Sequence, residues 1–320
     1  MKRTGRDTGA ARAISGRYDG GRCEPSRRQA ASKPDPTPMS EATLAPGLYL
    51  VATPIGNLGD VTLRGLAVLR GVDRIFCEDT RVTARLLARY DISAPLDLYH
   101  DHNAERARPA ILAALRRGER VALVSDAGTP LISDPGYKLV QAAIAENLPV
   151  TAIPGPSAAL TALILSGLPP GVFLFAGFLP PRRAARRHAL ERWSALDASL
   201  VFFEGTSRLA GCLADMAELL GDRPAAVARE LTKLHEEIRR GRLADLAAYY
   251  REAGPPRGEA AIVVGPPEAR GPDRAAVDSR LRAALASLSM RDAAATVAAE
   301  TGLPRSELYR RALAIRGEKE

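Results

Sequence analysis

The sequence predicts an α/β protein of two domains followed by a separate helical segment. From Gly47 onward, short β-rich apolar runs alternate with amphipathic stretches, the pattern of strands and helices in regular succession. The chain has 320 residues, enough for two domains of ordinary size. After the Pro- and Gly-rich run at 265–273 the strand pattern stops, and only helical periodicity continues.

The strand pattern falls into two successive blocks. In the first block, strands are predicted at 48–53, 74–79, 96–100, 120–125 and 149–154, with helices near 62–71, 80–90, 102–117 and 136–147. In the second, strands are predicted at 172–178, 199–205, 225–230 and 260–265, with helices near 182–196, 207–221 and 243–253. Such spacing favours parallel strands covered by helices on both faces. One nine-stranded sheet would also account for it, but two domains, at 46–155 and 156–268, suit the length better.

The segment 272–320 is predicted to be helical throughout. Within it, "MRDAAATVAAETGLPRSELYRRAL" predicts two helices around "TGLPRS", where Gly302 ends one helix and Ser306 caps the next. This is the outline of a helix-turn-helix motif. A plain helical hairpin packed on its neighbour fits the spacing equally well.

Residues 1–45 are predicted to be a disordered tail. Residues 1–46 carry nine Lys or Arg and five Asp or Glu, which is half of the net charge of +8. Arg, Ser and Ala are typical of transit peptides, but acidic residues such as Asp7 and Asp19 argue against one. Translation that starts at Met39, just before the first patterned segment, is an alternative.

Cysteine and histidine usage indicates a cytoplasmic protein with no bound metal. Cys23, Cys77 and Cys212 share no metal-ligand spacing, and the four histidines have none either. A reducing cytosol therefore fits best. No apolar run approaches the length of a membrane span, so no membrane partner is expected.

Six predicted strands end in Gly, Pro or small polar residues. These strand ends read "ATPIGNLGD" (52–60), "CEDTR" (77–81), "SDAGTPLISDPG" (125–136), "IPGPSAAL" (153–160), "FFEGTSR" (202–208) and "ARELTK" (228–233). One such loop needs no explanation beyond a turn. Six together predict a shared crevice at the carboxyl ends of the strands, where backbone approaches a ligand closely.

The charge of these loops argues against a nucleotide triphosphate. Neither GxxxxGK[ST] nor a correctly spaced GxGxxG occurs. Asp126 at a strand end would repel a pyrophosphate, but its carboxylate accepts hydrogen bonds from an amine or a ribose. A neutral or cationic ligand with an adenosine-like body fits better, and S-adenosylmethionine has that character.

The loops also carry a family resemblance. The segments "LVATPIGNLGDVTLRGL", "EDTRVTARLL", "VSDAGTPLISDPG", "PGPSAALTAL", "GFLP" and "ARELTKLHEE" resemble, in this order, motifs of the ribosomal RNA small subunit methyltransferase I family. That family belongs to the tetrapyrrole-methylase superfamily. The resemblance covers 47–268, and 274–316 resembles the family's C-terminal helix-turn-helix extension.

The resemblance implies fold, activity and partners. It implies two α/β domains with S-adenosylmethionine in the cleft between them, and a homodimer. The implied reaction is 2′-O-methylation of a cytidine ribose in 16S rRNA, in the decoding region of the small ribosomal subunit. A small-molecule methylase on the same scaffold is the alternative enzyme, and a non-catalytic nucleic-acid-binding protein is the alternative outside catalysis.

The resemblance also implies the cofactor contacts. They are Pro54, Gly56, Ser125, Asp126, Ala127, Gly128, Ser133, Pro156, Ser157, Ala158, Phe203, Glu204, Ala261 and Ile262. The segment "ISDPG" is expected to shape the far side of its loop and to start the next helix. "FFEGTSRL" departs from the family pattern, with Gly205 and Ser207 where Ser and His are expected. An essential role for those two side chains is therefore in doubt.

Methyl transfer to a hydroxyl requires alignment and a proton acceptor. The expected residues are Glu78, Asp79 and Arg81 at the substrate side, and Arg229, Glu230 and Lys233 opposite them. The proton acceptor stays unassigned among Glu78, Asp79, Asp126, Glu230 and Lys233. For each of these five, a helix cap or a structural ion pair is the plainer interpretation.

A local excess of arginine predicts the RNA-binding surface. The stretch 177–192 has five Arg against one Glu. Arg182/Arg186 and Arg183/Arg187 are spaced i, i+4, so each pair shares a helix flank that could hold phosphates. Arg208 joins this set. A solvated helix face is the alternative.

Overall fold

Two five-stranded sheets and a three-helix segment make up the computed structural model, which describes residues 44–268 and 274–317. The predicted tail at 1–45 lies outside the described residues apart from its last two. The strands of the first sheet are β1 (Gly47–Val51), β2 (Arg74–Cys77), β3 (Leu96–Leu98), β4 (Arg120–Val124) and β5 (Val150–Ile153). Their order is β3-β2-β4-β1-β5 and every pairing is parallel, as predicted.

Helices cover both faces of the first sheet. They are α1 (Leu63–Gly71), α2 (Thr80–Arg89), α3 (Ala104–Arg116) and α4 (Tyr137–Ala145). Side chains alternate along β1, so Tyr49 and Val51 pack with α1 and α2, whereas Leu48 packs with α3 and α4. Because both faces are buried, the carboxyl ends of the strands are the part of this sheet free to meet a ligand.

The second sheet is mixed, and here the predicted repeat of parallel units is wrong. Its strands are β6 (Phe173–Phe178), β7 (Ser199–Gly205), β8 (Pro224–Arg229), β9 (Glu237–Arg242) and β10 (Glu259–Val264). The order is β6-β7-β10-β8-β9, and only the β6–β7 pairing is parallel. Strands buried on both faces give the same apolar pattern in either direction, so the sequence does not distinguish the two cases.

Two elements of the second block were not predicted. The edge strand β9, "EIRRGR", is dominated by charge and is only half buried, so it lacks apolar alternation. Helix α5 (Ala158–Ser166), "AALTALILS", is apolar nearly all round and therefore lacks amphipathic periodicity. Ser157 caps α5, and Gly167 ends it in the left-handed conformation at φ 76°.

The two faces of the second sheet have different environments. Helices α6 (Arg183–Glu191), α7 (Leu209–Leu220) and α8 (Leu243–Ala253) cover one face, where Leu200 and Phe202 of β7 are buried. Helix α5 covers part of the other face, beside Val201 of β7. Ile55, from the loop after β1, packs into this second cluster, so the loops of the first sheet reach the α5 face of the second.

The C-terminal segment folds as three helices around a small core. They are α9 (Arg274–Leu285), α10 (Met290–Thr301) and α11 (Arg305–Gly317). Gly302 ends α10 at φ 71°, as predicted. The predicted cap at Ser306 is wrong, because α11 begins one residue earlier and its first turn is closed by the Pro304 carbonyl.

Candidate active site

A cavity of about 400 Å³ lies where the loops of the first sheet meet the α5 face of the second. Among the predicted residues, those that line it are Asp126, Ala127, Gly128, Ser133, Ser157, Ala158, Phe203, Glu204, Ala261, Glu230 and Lys233. The predicted residues that do not line it are Pro54, Gly56, Ser125, Pro156, Ile262, Glu78, Asp79, Arg81 and Arg229. Part of the predicted set therefore lines the cavity, and the other residues lie outside its lining.

The loop after β4 is held from beneath by hydrogen bonds. Ser125 is only 3% exposed, and its Oγ donates to the Gly128 carbonyl at 3.1 Å. Thr53 Oγ1 donates to the Ser125 carbonyl at 3.0 Å, and the Thr53 and Gly128 backbones exchange two hydrogen bonds. Gly128 has φ 82°, which favours glycine. Ser125 thus shapes the loop, while its neighbour Asp126 lines the cavity.

Three carboxylates lie around this loop. Burial raises the pKa of Asp126, although a hydrogen bond from the Asp79 N–H at 2.9 Å opposes the shift. Burial and the charge of Asp126 raise the pKa of Glu78. Burial, with Glu78 and Asp126 nearby, raises the pKa of Asp134 to about 6. These groups concentrate negative charge, which favours a cationic ligand and disfavours phosphate.

Asp134 was not among the predicted site residues. It lines the cavity within "ISDPG", a segment interpreted from sequence only as a shaping turn. The Pro and Gly that follow it explain the turn by themselves, so no separate signal in the sequence pointed to the carboxylate. Its proximity to Glu78, which lies at the end of a different strand, is visible only in three dimensions.

An aromatic wall faces the carboxylates. Phe203 packs edge-on against Phe175 and Phe178, with ring centroids 4.9 and 5.5 Å apart. Along β10, Ala261 packs on the same face as Phe203, and its small side chain leaves space beside the ring. A flat apolar body such as adenine fits such a wall.

The alternation of β7 and β10 corrects two expectations about this wall. Ile262 is fully buried on the opposite face of the sheet, packed with α7 and α8 residues, so its side chain is not beside the cavity. Glu204 is 2% exposed, and its Oε1 accepts hydrogen bonds from Arg208 Nε at 2.7 Å and from the Gly205 N–H at 2.8 Å. Arg208 is therefore committed to a buried carboxylate, contrary to its predicted role at RNA.

The loop after β8 forms another part of the cavity lining and is held there by ion pairs. Lys233 Nζ lies 2.8 Å from Glu230 Oε1 and 3.0 Å from Glu259 Oε2. Burial opposes its charge, but these two carboxylates outweigh burial and raise the pKa of Lys233. The same pairing lowers the pKa of Glu230. Lys233 is thus held protonated and is unsuited to remove a proton.

This loop is strained and tightly packed against the first sheet. Glu230 and Thr232 have φ of 51° and 63°, and the latter is unusual for a β-branched residue. Thr232 Oγ1 accepts a hydrogen bond from the Asn57 N–H at 3.0 Å. A Cβ at Gly56 would lie 2.8 Å from the Leu231 carbonyl oxygen. Gly56 therefore serves the approach of the two loops rather than contact with a ligand.

Asp79, Arg81 and Arg229 have structural partners. Asp79 caps α2, its Oδ1 accepts from the Arg81 N–H at 2.8 Å, and the hydrogen bonds from Arg81 lower the pKa of Asp79 to about 2. Arg229 pairs with Glu237 at 3.2 Å. The cap and ion-pair interpretation accounts for all three.

The predicted basic flank of α6 is largely neutralised, which corrects the assignment of its arginines. Arg186 is 7% exposed and lies 2.6 Å from Asp215, a carboxylate that is itself buried. Arg183 and Arg187 contact the same carboxylate at 3.0 and 3.3 Å, and Arg187 also pairs with Glu218 at 2.6 Å. Arg182 only precedes the helix. Arg183, Arg186 and Arg187 therefore anchor α6 to α7.

Two protein-family models match the chain. The model of the tetrapyrrole (corrin/porphyrin) methylases matches residues 47–247, and that of the RsmI C-terminal HTH domain matches residues 271–316. The chain belongs to the tetrapyrrole methylase family. This confirms the resemblance inferred from the strand-end loops. It also confirms the interpretation of the C-terminal helices as a helix-turn-helix rather than a plain hairpin.

Curated relatives and solved structures agree with this assignment. Proteins named ribosomal RNA small subunit methyltransferase I from Mesorhizobium japonicum and Erythrobacter litoralis are 50% and 53% identical. The matches cover 88% and 87% of this chain, and 96% and 98% of those relatives. A cobalt precorrin-4 methyltransferase aligns with TM-score 0.53, 19% identity and coverage of 68% of this chain and 94% of that one. Diphthine synthase aligns with TM-score 0.55 and 15% identity, and the alignment covers 68% of this chain and 89% of that one. These structures show the same fold.

The cavity of this tetrapyrrole methylase fits S-adenosylmethionine, the cofactor that family membership confirms. Asp126 and Asp134 place negative charge in the lining, which suits a cation, and Phe203 and Ala261 form an apolar wall on which an adenine would pack. Lys233 is the only Lys or Arg in the lining and is already paired with two carboxylates. The lining thus suits a cationic cofactor without phosphate.

Membrane-spanning helices and clustered metal ligands are both absent from the described residues. No helix in 44–268 or 274–317 is long and apolar enough to span a bilayer. Those same residues contain no group of three or more His, Cys, Asp or Glu placed to hold a metal ion.

Asp126→Asn is expected to weaken S-adenosylmethionine binding about tenfold, since a charge-assisted hydrogen bond is worth roughly 1.5–3 kcal/mol. The amide keeps an oxygen that can accept from the Asp79 N–H. Ser157→Trp is expected to fill the cavity and abolish binding, whereas Ser287→Trp, at an exposed site outside the cavity lining, leaves binding intact. Titration calorimetry measures all three. Wild-type affinity in both cavity variants would contradict the assigned cofactor site.

Asp134→Asn is expected to stabilise the ligand-free protein at pH 8. The pKa of Asp134 is raised in the folded state, so its contribution to stability is complete below pH 4 and is lost as the pH rises through about 6. The asparagine amide does not ionise, so the variant avoids this loss in the free energy of unfolding. The loss amounts to about 2 kcal/mol after allowance for partial exposure. Urea unfolding at pH 8 and pH 4 measures it, and the gain should vanish at pH 4. A variant less stable than wild type at pH 8 would contradict the carboxylate cluster.

Proposed function

We propose that this methylase transfers the methyl group of S-adenosylmethionine to a ribose 2′-hydroxyl of a cytidine in 16S rRNA, in the decoding region of the small ribosomal subunit. The single observation that supports it most is near-full-length similarity to relatives named for small-subunit rRNA methylation, including the C-terminal helix-turn-helix. A groove at α10 and α11, lined by Arg291, Arg305 and Tyr309, adds basic and aromatic surface suited to RNA. A cytoplasmic location accompanies this proposal.

The two alternatives are less well supported. A small-molecule methylase has no need of the helix-turn-helix that follows the two α/β domains. A binding protein without catalytic activity has no need of a cavity with grouped carboxylates of raised pKa.

The reaction is an in-line displacement, in which an oxygen–carbon bond forms as the sulfur–carbon bond breaks. The bound cofactor supplies an activated methyl group, so the protein must align the hydroxyl and accept its proton. We propose Asp134 as the acceptor, since it lines the cavity and its pKa of about 6 leaves it ionised at neutral pH yet more basic than an ordinary aspartate. Asp79, Glu230 and Lys233 are tied in ion pairs.

The test is transfer of tritiated methyl groups to small subunits isolated from a strain that lacks this protein. We expect label in 16S rRNA that nuclease digestion releases as 2′-O-methylcytidine, and no uptake by subunits from the parent strain. Asp134→Asn is expected to lower kcat about 100-fold, with little change in the KM for small subunits. Label recovered on a base, or only in a small-molecule fraction, would refute the proposed reaction.

We also propose that the protein is a homodimer that pairs through α5. Leu160 and Ile164 lie one turn apart and are 50% and 71% exposed. The neighbouring edge strand β5 leaves Thr151 and Ala152 exposed. Contiguous apolar surface of this kind is typical of a protein interface.

A Leu160→Asp/Ile164→Asp variant is expected to sediment as a monomer in analytical ultracentrifugation, because two charges would be buried without partners. Ile144→Asp changes an exposed apolar residue on α4, on the first sheet, and is the control. A wild-type protein that sediments as a monomer at micromolar concentration would rule out the homodimer.

A further inference from the structure

Helix α2 presents a single row of arginines. Arg81, Arg85 and Arg89 follow one another at four-residue intervals, so they share one face and are spaced about 6 Å apart along the helix axis. All three are exposed, whereas Thr83, Leu86 and Leu87 of the same helix are buried. The packing of the apolar face therefore directs the arginines outward.

This row keeps its charge, unlike the arginines of α6. Helix α2 contains no acidic residue. Within residues 44–268 and 274–317, Arg85 and Arg89 have no ion-pair partner, and Arg89 lies 5.5 Å from the centre of the Tyr90 ring. Only Arg81 is paired, with the capping Asp79. Helix α2 therefore carries uncompensated positive charge at Arg85 and Arg89.

Neighbouring helix α1 extends the basic surface. It too has no acidic residue, and its Arg64 and Arg70 are exposed. Arg70 donates to the Tyr90 carbonyl at 3.1 Å, which places it beside the end of α2. Two large apolar residues of α1 and α2 are more than a third exposed, Leu63 and Val82, against five exposed arginines. A surface of this kind suits a polyanion better than a lipid bilayer.

The row begins at the cavity. Asp79, the cap of α2, donates its N–H to Asp126, and Asp126 lines the cavity. From Arg81 to Arg89 the row runs about 12 Å away from that contact. The carboxylates Glu78, Asp126 and Asp134 repel phosphate at the cavity end, while the arginines attract it along the helix. A neutral ribose, flanked by phosphates on the rim, satisfies both conditions.

We propose that the sugar–phosphate backbone of single-stranded RNA follows α2, with Arg85 and Arg89 each holding a phosphate, and so brings a ribose to the cavity. This rests on the proposed function, and it names the surface that delivers the substrate. Exposed arginines without partners gain most from a phosphate contact, because no existing ion pair has to be broken.

The test compares R85Q/R89Q with a control of equal charge change, R192Q/R251Q. Arg192 directly follows α6 and Arg251 lies in α8, and both are exposed, on the face of the second sheet opposite the cavity. The probe is a 20-nucleotide single-stranded RNA whose affinity is measured against salt concentration. R85Q/R89Q is expected to reduce the slope of log K against log salt by about 1.4, since each phosphate contact with a single strand contributes about 0.7.

Methyl transfer provides the second measurement. For unmethylated small subunits, R85Q/R89Q is expected to raise KM about tenfold with kcat within twofold, while the affinity for S-adenosylmethionine is unchanged. A slope and KM equal to those of wild type would overturn the proposal. So would an equal effect of the control variant, or a loss of binding to phosphatidylserine vesicles with RNA binding intact.

These outcomes are separate from a failure of the proposed function. If wild-type protein places no methyl group on rRNA, the reaction assignment fails, whereas the salt slope of R85Q/R89Q still reports whether α2 holds phosphates. Both substitutions are on the exposed face, so thermal unfolding is expected to match wild type and to exclude misfolding as the cause.

Discussion

The grouping of Glu78, Asp126 and Asp134 is the constraint on which the site depends. Like charges in a partly buried place destabilise the folded chain, as their raised pKa values show. The surrounding structure offsets this cost through two parallel strands that end side by side and through the hydrogen bonds that fix the β4 loop. A cation bound in the cavity would relieve the repulsion, so cofactor affinity and the instability of the empty site have one origin.

Arginine serves two separate roles in this chain, and only its partners distinguish them. On α6, Arg183, Arg186 and Arg187 converge on buried Asp215 and hold two helices together. On α2, which has similar spacing, only Arg81 meets a carboxylate, and the charges of Arg85 and Arg89 face solvent. Helical spacing therefore indicates which arginines share a face, but the availability of that face depends on an acidic residue far along the chain.

The sequence predicted the parts of this protein that depend on local pattern. The first sheet, its helices and the strand-end loops follow from apolar periodicity and from Gly and Pro at the turns. It did not predict β9, because an edge strand needs little apolar surface. It also could not predict that the side chains of Glu204 and Ile262 lie on the face of the second sheet away from the cavity, although the Glu204 residue borders that cavity. Asp134 was missed because its neighbours fully explained the turn.

The central position of β10 has a consequence for synthesis on the ribosome. The five strands of the first sheet are complete once residue 153 has emerged, so that sheet can form early. The second cannot, because β7 and β8 both pair with β10, which ends only at Val264. Until then the edges of β7 and β8 that pair with β10 are open, a state prone to aggregation. Because β10 is synthesised last, formation of the second sheet is the step of folding most exposed to aggregation.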